Sequence, residues 1–406
     1  MVRGKGKKMG DKKVVVLGGG GVVGRTAVRD LAKSGTFSEV VVADKEVEKA
    51  RRYLEGIPHL SFVKTDITEL ATLREVIKEA DVVLNTVGPF YKFGPLLTRE
   101  AIRAGVNYVD ICDDYEATLE QLKMDEEARK KGVTVLTGMG SSPGVSNVVA
   151  KFCCQLLDQP EEIHIYHIHG GEPDEGPAVI YHRIHYMVGK IPMLREGKMV
   201  YFGFFSEEGE KEIEEVDFYD PIGVVKVYPY PHPETITLPR HIPGLKKVTN
   251  KGAVLPLEYY ELLRNAVRMG LAEEKPLKVG EALVAPIDFL VSFILSKRKE
   301  YASRLPEPVG CLKIVVRGKK EGKRMEYRFA TPSRGAGMGE GTAIPASVGT
   351  QMVARGEIEE KGVLPPEACV DPMRFFEAVR SREGMGGVRI IFESVDEEGR
   401  VTSIPL

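Results

Sequence analysis

Short β-branched runs alternate with amphipathic stretches along the first third of the chain, from Lys12 to about Gly140. Strands and helices that alternate at this spacing are typical of βαβ units and a parallel sheet. About six strands are predicted, which is the number in a complete dinucleotide-binding fold. The predicted strands are 14–17, 40–43, 60–64, 82–85, 108–111 and 133–137, and the predicted helices are 26–33, 71–79, 95–104 and 117–130.

Beyond Pro143 the pattern changes to longer strands and proline-rich connections. Runs at 311–319 and 323–330, separated by three residues, predict an antiparallel hairpin. The longest apolar stretch, 282–295, is too short to span a bilayer and predicts a buried helix. The fold class is therefore predicted to be α/β, with a parallel sheet followed by a second α+β domain that contains a mixed sheet.

A glycine-rich turn, GGGGVVG at residues 18–24, joins the first predicted strand to the first helix. It contains G-x-G-x-x-G at Gly19, Gly21 and Gly24, with Val22 and Val23 before the last glycine. In this motif the first glycine permits a tight turn, the second lets a pyrophosphate approach the backbone, and the third allows helix and strand to pack closely. The phosphates then face a helix N-terminus. The motif predicts a Rossmann doubly wound sheet that binds a nicotinamide dinucleotide.

The end of the second strand bears on which dinucleotide is bound. Asp44 lies 20 residues after Gly24, where an acid accepts hydrogen bonds from the adenosine ribose hydroxyls. A carboxylate there repels a 2′-phosphate and favours NAD. The positive charges of Lys45, Arg51 and Arg52, however, keep NADP open as the cofactor. A triphosphate loop, G-x-x-x-x-G-K-[ST], is the alternative for residues 19–26. There, however, an arginine replaces the lysine and Asp44 has no role.

Composition and charge narrow the class of ligand. The 406 residues carry 57 basic and 59 acidic side chains, a formal net charge of −2. No overall basic field exists to hold nucleic acid or an anionic membrane, so neither is expected as a partner. The five cysteines contain no C-x-x-C pair and indicate reduced thiols in a cytoplasmic protein.

Several motifs resemble those of the saccharopine dehydrogenase-like family, which includes saccharopine reductases and lysine 6-dehydrogenases. The likeness spans most of the chain and is weakest from about 195 to 330. The matching stretches are 81–90 (DVVLNTVGPF), 104–110 (AGVNYVD), 138–147 (GMGSSPGVSN), 170–173 (GGEP), 341–346 (GTAIPA) and 362–367 (GVLPPE).

The resemblance implies a Rossmann domain, a catalytic domain that also forms a homodimer, and a C-terminal segment that packs back onto the first domain. The first domain is expected at 12–145, completed by 341–372. The second is expected at 146–340 with 373–406, and residues 1–11 are expected to be a disordered leader. The family's chemistry is reversible hydride transfer between nicotinamide and a carbon that bears an amine, so a small amine or amino acid is the expected substrate.

The resemblance also implies cofactor contacts, since the loop 85–89 lies along the nicotinamide ribose in the family's fold. The residues agree, because a strand that ends in Gly-Pro at the carboxyl edge of a sheet is where a bound dinucleotide passes. By the same position, the end of the third strand is expected to flank the adenine. The predicted contacts are Asn85, Val87, Gly88, Pro89, Asp66 and Ile67.

The catalytic positions of the fungal saccharopine reductases are altered in this chain. Tyr115 matches their active-site tyrosine, but Ser142 stands where they have an aspartate and His169 where they have a cysteine. Saccharopine and its mechanism therefore do not carry over. His169 precedes the glycine pair 170–171, where a bare backbone admits substrate. Because an imidazole that titrates near neutrality suits abstraction of an amine proton, His169 is predicted as the acid/base.

Further histidines and an arginine surround this position. Strand alternation places His167 and His169 on one face and His164 on the other. Glu172 follows closely, but no complete ligand set with familiar spacing is found, so no metal is predicted. Arg183 is predicted to hold a substrate carboxylate, and a surface salt bridge is its alternative role.

An acidic cluster, Asp110, Asp113 and Asp114, follows the fifth predicted strand on the side of the cofactor's reactive end. Such a cluster attracts a cationic amine, and neighbouring like charges raise the pKa of a carboxyl toward a useful range. Asp110 is predicted as a substrate contact, and Asp114 as a catalytic residue beside Tyr115. A helix cap is the alternative role of Asp114.

Together these patterns predict an NAD-dependent oxidoreductase, with NADP as the alternative cofactor, that acts on CH–NH bonds of an amino-acid or polyamine derivative. Reductive condensation of an aldehyde with an amine, as in carboxynorspermidine or saccharopine synthesis, is the alternative activity. A non-catalytic, dinucleotide-binding redox sensor is the alternative from another class.

Overall fold

The computed structural model describes residues 11–171, 176–304, 307–335, 338–380, 382 and 387–405. They form two compact units. Unit 1 contains the described residues up to Val145 together with Gly339–Arg382, and unit 2 contains the described residues of Ser146–Met338 and those from 387 onward. The expected leader lies, apart from Asp11, outside the described residues, and so does Glu172.

The first part of unit 1 alternates strands with helices. The strands are β1 (Lys12–Leu17), β2 (Phe37–Asp44), β3 (Leu60–Lys64), β4 (Val82–Asn85), β5 (Asn107–Asp110) and β6 (Thr134–Leu136). The helices are α1 (Val22–Lys33), α2 (Val47–Tyr53), α3 (Leu70–Ile77), α4 (Phe90–Ala104), α5 (Tyr115–Leu122) and α6 (Asp125–Lys131).

Unit 2 begins with α7 (Val145–Gln155), β7 (Gln159–Gly170), α8 (Pro177–Val188), β8 (Lys190–Arg195), β9 (Lys198–Gly203), α9 (Glu207–Lys211), β10 (Glu214–Asp217), β11 (Val224–Pro229) and α10 (Glu234–His241). It continues with β12 (Lys247–Leu255), α11 (Leu257–Ala266) and its π-helical extension (Val267–Leu271), β13 (Leu277–Val279), β14 (Ala282–Val284), α12 (Pro286–Ala302), β15 (Val309–Lys320), β16 (Lys323–Ala330) and β17 (Ser333–Arg334).

The chain then returns to unit 1 and ends in unit 2. The returning elements are α13 (Met338–Arg355), β18 (Gly362–Leu364), α14 (Pro366–Cys369) and α15 (Pro372–Arg380), and the final strands are β19 (Ile391–Val395) and β20 (Val401–Ser403).

The described strands of unit 1 form one parallel sheet in the order β18–β6–β5–β4–β1–β2–β3. This is the doubly wound dinucleotide arrangement, with its switch point between β1 and β4 and one further strand at the edge. Both faces of the central strand are covered, since Val14, Val15 and Val16 are all fully buried.

Unit 2 is built on a mixed sheet around β7. β12 pairs with β7 in parallel, whereas β15 pairs with it antiparallel. β15 and β16 form the predicted hairpin. The core on this sheet joins side chains of β7, α8, α11 and α12, and its fully buried members include Tyr186, Phe218, Tyr228 and Tyr260. The predicted fold class, a Rossmann parallel sheet with a second α+β domain, is confirmed.

The apolar stretch 282–295 is only in part the buried helix that its composition predicts. From Pro286 onward it is helical, and Ile287, Leu290, Val291 and Ile294 are buried in the core of unit 2. Its first residues form β14, however, and Leu283, Phe289 and Phe293 are 75%, 55% and 49% exposed. The prediction is wrong for these residues because composition does not show which side of a helix meets the core. Among the described residues, no helix is long and apolar enough to cross a membrane.

Candidate functional site

The glycine-rich turn closes tightly between β1 and α1. A Cβ on Gly24 would lie 2.2 Å from the carbonyl oxygen of Gly18, so no larger residue fits without a backbone shift. Gly18 itself has a φ of +75°, a conformation that side chains rarely adopt. The Gly18 oxygen accepts the Gly21 N–H at 3.0 Å. The third glycine of the motif therefore does what the sequence predicts, which is to bring the helix against the turn.

The N-terminus of α1 is available to an anion. The helix begins at Val22, has no acidic residue in its first turn, and is capped by no side chain of the described residues. A Cβ on Gly21 would meet only the Gly18 oxygen, at 3.3 Å. The unbonded N–H groups and dipole of a helix N-terminus favour phosphate, so Gly21, Val22 and Val23 fit a pyrophosphate.

Asp44 at the end of β2 joins the turn. Its Oδ2 accepts the Gly20 N–H at 2.8 Å, and its Oδ1 accepts the Glu46 N–H, also at 2.8 Å. Each carboxylate oxygen retains a second lone pair, and the side chain is partly exposed. Asp44 is therefore oriented by backbone donors while it can still accept hydrogen bonds from the hydroxyls of a ribose.

Asp66 follows β3, at the same edge of the sheet. Its carboxylate accepts the Thr68 hydroxyl at 2.6 Å and the Thr68 N–H at 3.0 Å, and Lys45 Nζ lies 3.2 Å away. The Thr68 hydroxyl is the main cause that lowers the pKa of Asp66 to about 2. Ile67 packs on the apolar core of unit 1. The side chain of Lys45 thus forms an ion pair with the carboxylate of Asp66.

The loop after β4 lies against the glycine turn. Asn85 is fully buried and holds the loop, since its Nδ2 donates to the Tyr108 hydroxyl at 2.9 Å and its Oδ1 accepts the Val87 N–H at 2.9 Å. The Thr86 hydroxyl donates to the Leu17 carbonyl at 2.9 Å. A Cβ on Gly18 would lie 2.9 Å from Val87 Cγ2. Gly88 and Pro89 complete the loop and lead into α4.

Asp114 caps a helix, but not the one that it precedes. It lies before α5, yet its Oδ2 accepts the Tyr91 N–H, at 2.8 Å, in the first turn of α4. Pro89 at the start of α4 has no side-chain acceptor, so the buried Asp114 carboxylate supplies one. Tyr115 begins α5 and is also buried. Their predicted catalytic roles stay predictions.

Asp110 at the end of β5 is fully buried and holds the loops around it. Its Oδ1 accepts the N–H groups of Cys112 and Gly138 at 3.1 and 2.8 Å and the Thr137 hydroxyl at 3.1 Å, while Gln121 donates to Oδ2 at 2.6 Å. Burial raises the pKa of Asp110, and these donors oppose that shift. Asp110 supports the fold of the loops, and its contact with substrate stays a prediction.

In unit 2, His169 lies at the end of β7 and lines a cleft. The cleft is bounded by Val254, Leu255 and Pro256 at the end of β12, and by Tyr259, Ile294, Arg298 and Tyr301. A Cβ on Gly170 would lie 2.3 Å from the Leu255 carbonyl oxygen. Gly170 is thus needed for close packing of β7 against β12, whereas the sequence predicts that it admits substrate.

His167, two residues earlier on β7, belongs to a buried group of rings. Its ring stacks on His232 with centroids 4.9 Å apart and meets Tyr230 edge-on at 4.4 Å. His167 Nε2 lies 3.0 Å from the amide oxygen of Asn250. Burial, the largest cause, lowers the pKa of His167 to about 3, with His169 and His182 adding to the shift. His167 is therefore neutral at physiological pH.

Gly252 on β12 makes room for this ring. It lies opposite His167 in the parallel ladder, and a Cβ at this position would come within 2.4 Å of the ring carbon Cε1. Burial also lowers the pKa of His232 well below its usual value. The neutral rings of His167 and His232 thus stack on each other inside unit 2, and the His167 ring lies against Gly252 of β12.

Two family models match the chain. The saccharopine dehydrogenase NADP binding domain matches residues 14–136, and the saccharopine dehydrogenase C-terminal domain matches residues 140–385. The second match alone covers more than half of the 406 residues. The chain belongs to the saccharopine dehydrogenase family. The resemblance noted in the sequence is therefore confirmed.

Several curated proteins are similar to this chain over limited stretches. Human saccharopine dehydrogenase-like oxidoreductase is 32% identical over 155 residues, which are 34% of this chain and 36% of that protein. Saccharopine dehydrogenase [NADP(+), L-glutamate-forming] of Pyricularia oryzae is 28% identical over 156 residues, 38% of this chain and 32% of that protein. A lipid droplet localized protein of Caenorhabditis elegans is 29% identical over 139 residues, 31% and 32% of the two chains. The matches span about a third of these relatives.

The structure of apo saccharopine dehydrogenase (L-Glu forming) from Saccharomyces cerevisiae has the same fold. It superposes with a TM-score of 0.66 over 97% of this chain and 100% of that chain, at 15% sequence identity. At this identity the likeness shows the saccharopine dehydrogenase fold alone.

Within each unit of this saccharopine dehydrogenase family member, the structure brings several predicted residues together. Gly19, Gly21, Gly24 and Asp44 form one turn in unit 1, and the loop 85–89 lies against it. In unit 2, the buried Arg183 donates to the Tyr259 hydroxyl at 3.1 Å, and that tyrosine lines the His169 cleft. The role of Arg183 toward a substrate carboxylate stays a prediction.

Sequence reasoning did not single out the stacked histidine pair. His232 lies far from His167 in the chain, in a proline-rich connection with no pattern of its own. The available signal is Gly252, a glycine within a strand of otherwise larger residues, because such a glycine often marks the close approach of another group.

Proposed function

We propose that this protein is a nicotinamide-dinucleotide-dependent oxidoreductase that transfers hydride at a carbon bearing an amine, in an amino-acid or polyamine derivative. The turn in which Gly24 closes on Gly18 and Asp44 is held by the Gly20 N–H carries this proposal, because it has the tight glycine turn, the uncapped helix N-terminus and the strand-end acid that a dinucleotide requires. Membership of the saccharopine dehydrogenase family supports the CH–NH chemistry.

The residues of unit 1 fit the dinucleotide at both ends of the turn. Gly21, Val22 and Val23 would hold the pyrophosphate at the uncapped helix N-terminus, and Asp44 would accept hydrogen bonds from the adenosine ribose. The loop that Asn85 holds in place orients the nicotinamide ribose. When bound, the nicotinamide ring accepts or donates the hydride.

The chain's own residues handle the proton. An amine carbon releases hydride readily only when its nitrogen is uncharged, so a base must take the ammonium proton. His169, partly exposed at its cleft, is our assignment for that base. His167 is not assigned as a general acid, because its lowered pKa leaves the ring uncharged near pH 7, with no imidazolium proton to donate. Tyr115 is assigned as a hydrogen-bonding partner of the reacting group.

NAD is the proposed cofactor, on the strength of Asp44. The matching family model is that of an NADP binding domain, which favours NADP. The carboxylate of Asp44 is anchored by two backbone N–H groups, and the nearby Lys45 lies against Asp66. A 2′-phosphate beside Asp44 would place two anions together, which disfavours NADP.

A substrate panel tests the proposed function. Full-length protein with NAD or NADP is offered L-lysine, L-saccharopine, carboxynorspermidine, cadaverine and spermidine, and reduced nicotinamide is followed by its absorbance. The reverse direction is run with NADH and aldehyde–amine pairs. We expect turnover of at least one amine, and a large loss of kcat in His169→Gln with dinucleotide affinity unchanged, typically 10²- to 10⁴-fold for a general base.

The other outcomes are equally informative. Turnover only with aldehyde–amine pairs and NADH identifies reductive condensation. Tight binding of NADH without turnover of any compound supports the sensor and contradicts the proposal. Wild-type kcat in His169→Gln leaves the reaction class intact but removes His169 from the site.

A further inference from the structure

The His169 cleft lies where two parallel strands of unit 2 end. In the ladder of β7 and β12, His169 pairs with Val254 and Gly170 pairs with Leu255, so both strands reach the cleft at their carboxyl ends. The carboxyl ends of parallel strands are the usual place for a ligand in sheets of this kind. The lining is mostly apolar with a few polar groups, which is typical of a small-molecule site.

Helix α12 forms one wall of the His169 cleft. Ile294, Arg298 and Tyr301 line the cleft, and their spacing of four and three residues places them on one face of the helix. Arg298 is half-buried, whereas its neighbours Lys297 and Lys299 are exposed. Of these three consecutive basic residues, Arg298 is therefore the one that belongs to the cleft.

Arg183, which the sequence predicts to hold a substrate carboxylate, reaches the cleft through Tyr259. Arg183 is 2% exposed, and its Nη1 donates to the Tyr259 hydroxyl at 3.1 Å. Its guanidinium carbon lies 5.9 Å from the centroid of the Tyr259 ring. A hydroxyl that accepts from a guanidinium can still donate its own proton. Arg183 thus positions Tyr259 as a hydrogen-bond donor in the lining of the cleft.

No carboxylate is found among the described residues that line the cleft, whereas an arginine is. Two acidic residues border the lining, and arginines outside the lining engage both of them. Glu258 lies 2.7 Å from Arg304, and Glu307, whose backbone approaches the end of β7, lies 3.3 Å from Arg334. The described lining therefore offers a guanidinium to an anionic group of a ligand and no carboxylate to a second ammonium.

The charge of this lining does not follow from the family resemblance. The likeness is weakest from about 195 to 330, and seven of the ten described lining residues, Arg298 among them, lie in that stretch. No role of a family residue is therefore transferred to Arg298. The arrangement of these seven residues in the structure is what bears on the choice of substrate.

We propose that Arg298 selects substrates that carry a carboxylate, by pairing its guanidinium with that group while the reacting amine faces His169. The Tyr259 hydroxyl donates to the same carboxylate. This inference rests on the proposed hydride transfer at a carbon bearing an amine, and it narrows the substrate to an amino acid. The forked donors of arginine match the two oxygens of a carboxylate and hold it in one orientation. A polyamine would instead bring a second ammonium toward Arg298 as a like charge.

Calorimetric titration of the full-length protein, with NADH present, tests the proposal. The probes are two pairs whose members differ only in a carboxylate, L-lysine with cadaverine and L-ornithine with putrescine. We expect wild type to bind each amino acid about tenfold or more tightly than its amine, as one charged hydrogen-bonded pair allows. Arg298→Gln should abolish this preference, and Arg298→Lys should retain part of it. Lys299→Gln, the exposed neighbour on α12, is the matched control and should keep the wild-type preference.

The wild-type titration needs no variant, and far-UV circular dichroism reports whether each variant is folded. Equal affinity of wild type for both members of each pair overturns the proposal, as does binding of neither amino acid or an unchanged preference in Arg298→Gln. A loss of NADH affinity in Arg298→Gln also overturns it, since the guanidinium would then bind a phosphate of the dinucleotide.

Failure of the proposed function gives a different result. A preference for the amino acids without turnover of any compound contradicts the oxidoreductase and leaves Arg298 as a carboxylate-binding residue. Equal kcat/KM of wild type for L-lysine and cadaverine leaves the oxidoreductase intact and overturns the assignment of Arg298.

Discussion

The two units use a glycine for different ends. In unit 1, Gly24 lets backbone approach backbone, so that the N-terminus of α1 closes against the turn after β1. In unit 2, Gly252 lets a side chain approach backbone, and the His167 ring fills the space beside β12. The first glycine shapes the turn to which we assign the dinucleotide, whereas the second lets two strands and a ring pack in a core.

This difference explains why the glycine turn of unit 1 can be predicted from the sequence and the histidine stack of unit 2 cannot. The turn in unit 1 is local: every glycine that shapes it lies within seven consecutive residues. The histidine stack in unit 2 joins residues from β7, β12 and the connection after β11. The glycine turn is formed by residues that are consecutive in the chain. The histidine cluster is formed by residues far apart in the chain, which come together only when the sheet has formed.

The largest effect is expected at Gly24. Gly24→Ala places a Cβ 2.2 Å from a backbone oxygen that cannot move aside cheaply, and we expect a loss of about 3 kcal/mol in the free energy of unfolding of unit 1. Dinucleotide binding should be lost with it. Chemical denaturation and NADH titration measure the two effects.

Two glycine controls sharpen this result. Gly21→Ala meets only one atom, at 3.3 Å, and should weaken NADH binding without a matching loss of stability. Gly341→Ala lies in α13 with no atom within 4 Å and should stabilise by about 0.5–1 kcal/mol. Equal stability of Gly24→Ala and wild type would show that the turn is not closed as described.

Gly252→Ala should cost less and act on unit 2 alone. The new Cβ displaces the His167 ring, which loses its stack on His232, and we expect a loss of about 2 kcal/mol. NADH affinity should not change. In the double variant His167→Ala/Gly252→Ala the contacts with the ring are gone and only the 2.6 Å approach to the residue 167 carbonyl oxygen remains, so the Gly252 substitution should cost less than it does in wild type. Additive losses in this double-mutant cycle would contradict the packing.

Asp44→Ser tests the ligand side of the comparison. Removing the carboxylate removes repulsion of a 2′-phosphate, and the ratio of kcat/KM for NAD to that for NADP should fall at least about tenfold, equivalent to ~1.4 kcal/mol. Asp396→Ser, in the turn between β19 and β20 of unit 2, is the control and should leave the ratio nearly constant. A wild-type preference for NADP would instead overturn the assignment of NAD.

The smallest effect concerns the other face of β7. There Glu162 lies 3.1 Å from His164 and 3.4 Å from Arg317, and the hydrogen bond with His164 is the main cause that lowers the pKa of Glu162 to about 2. A carboxyl whose pKa is lower in the folded state stabilises above its ordinary pKa of 4.5 and loses that contribution as pH falls toward 2. Its partial exposure limits the contribution to about 1 kcal/mol.

Glu162→Gln should therefore reduce the loss of stability between pH 5 and pH 3 by that amount, measured by chemical denaturation. Glu48→Gln, in an exposed pair with Arg51 at 3.8 Å, should leave the pH dependence as in wild type. An identical pH profile for Glu162→Gln and wild type would show that the Glu162 carboxylate does not stabilise the folded protein.

The sequence predicted β3 and β4 to the residue, and the glycine turn with Asp44, because their signals are short and periodic. It missed α2, whose seven residues, VEKARRY, contain a single buried position. It also expected one helix at 117–130, where α5 and α6 are separate. Weak amphipathicity gives pattern arguments little to detect.

The part of the candidate site that is formed by local backbone, the glycine turn, could be predicted from the sequence. The parts that depend on side chains distant in the sequence could not. The sequence predicts Asp114 as a catalytic residue, with a helix cap as its alternative role, and in the structure its carboxylate caps α4 and not the helix that it precedes. That choice depends on how closely two loops approach, which no local pattern encodes. The exposed side of α12 follows the same rule, because an apolar residue on the surface looks in sequence like one facing the core.

The order of the elements along the chain has a consequence for biosynthesis. Unit 1 is not finished until α13 and β18 emerge, and the Ser347 hydroxyl then donates to Asp30 of α1 at 2.6 Å. Residues 146–338 must be translated first, which at ribosomal rates of roughly 5–20 residues per second takes about 10–40 s. Throughout that interval β6 presents an unpaired edge on a nascent polypeptide. A chaperone that shields β6 during synthesis would therefore raise the yield of native protein, even though the completed fold has no further need of it.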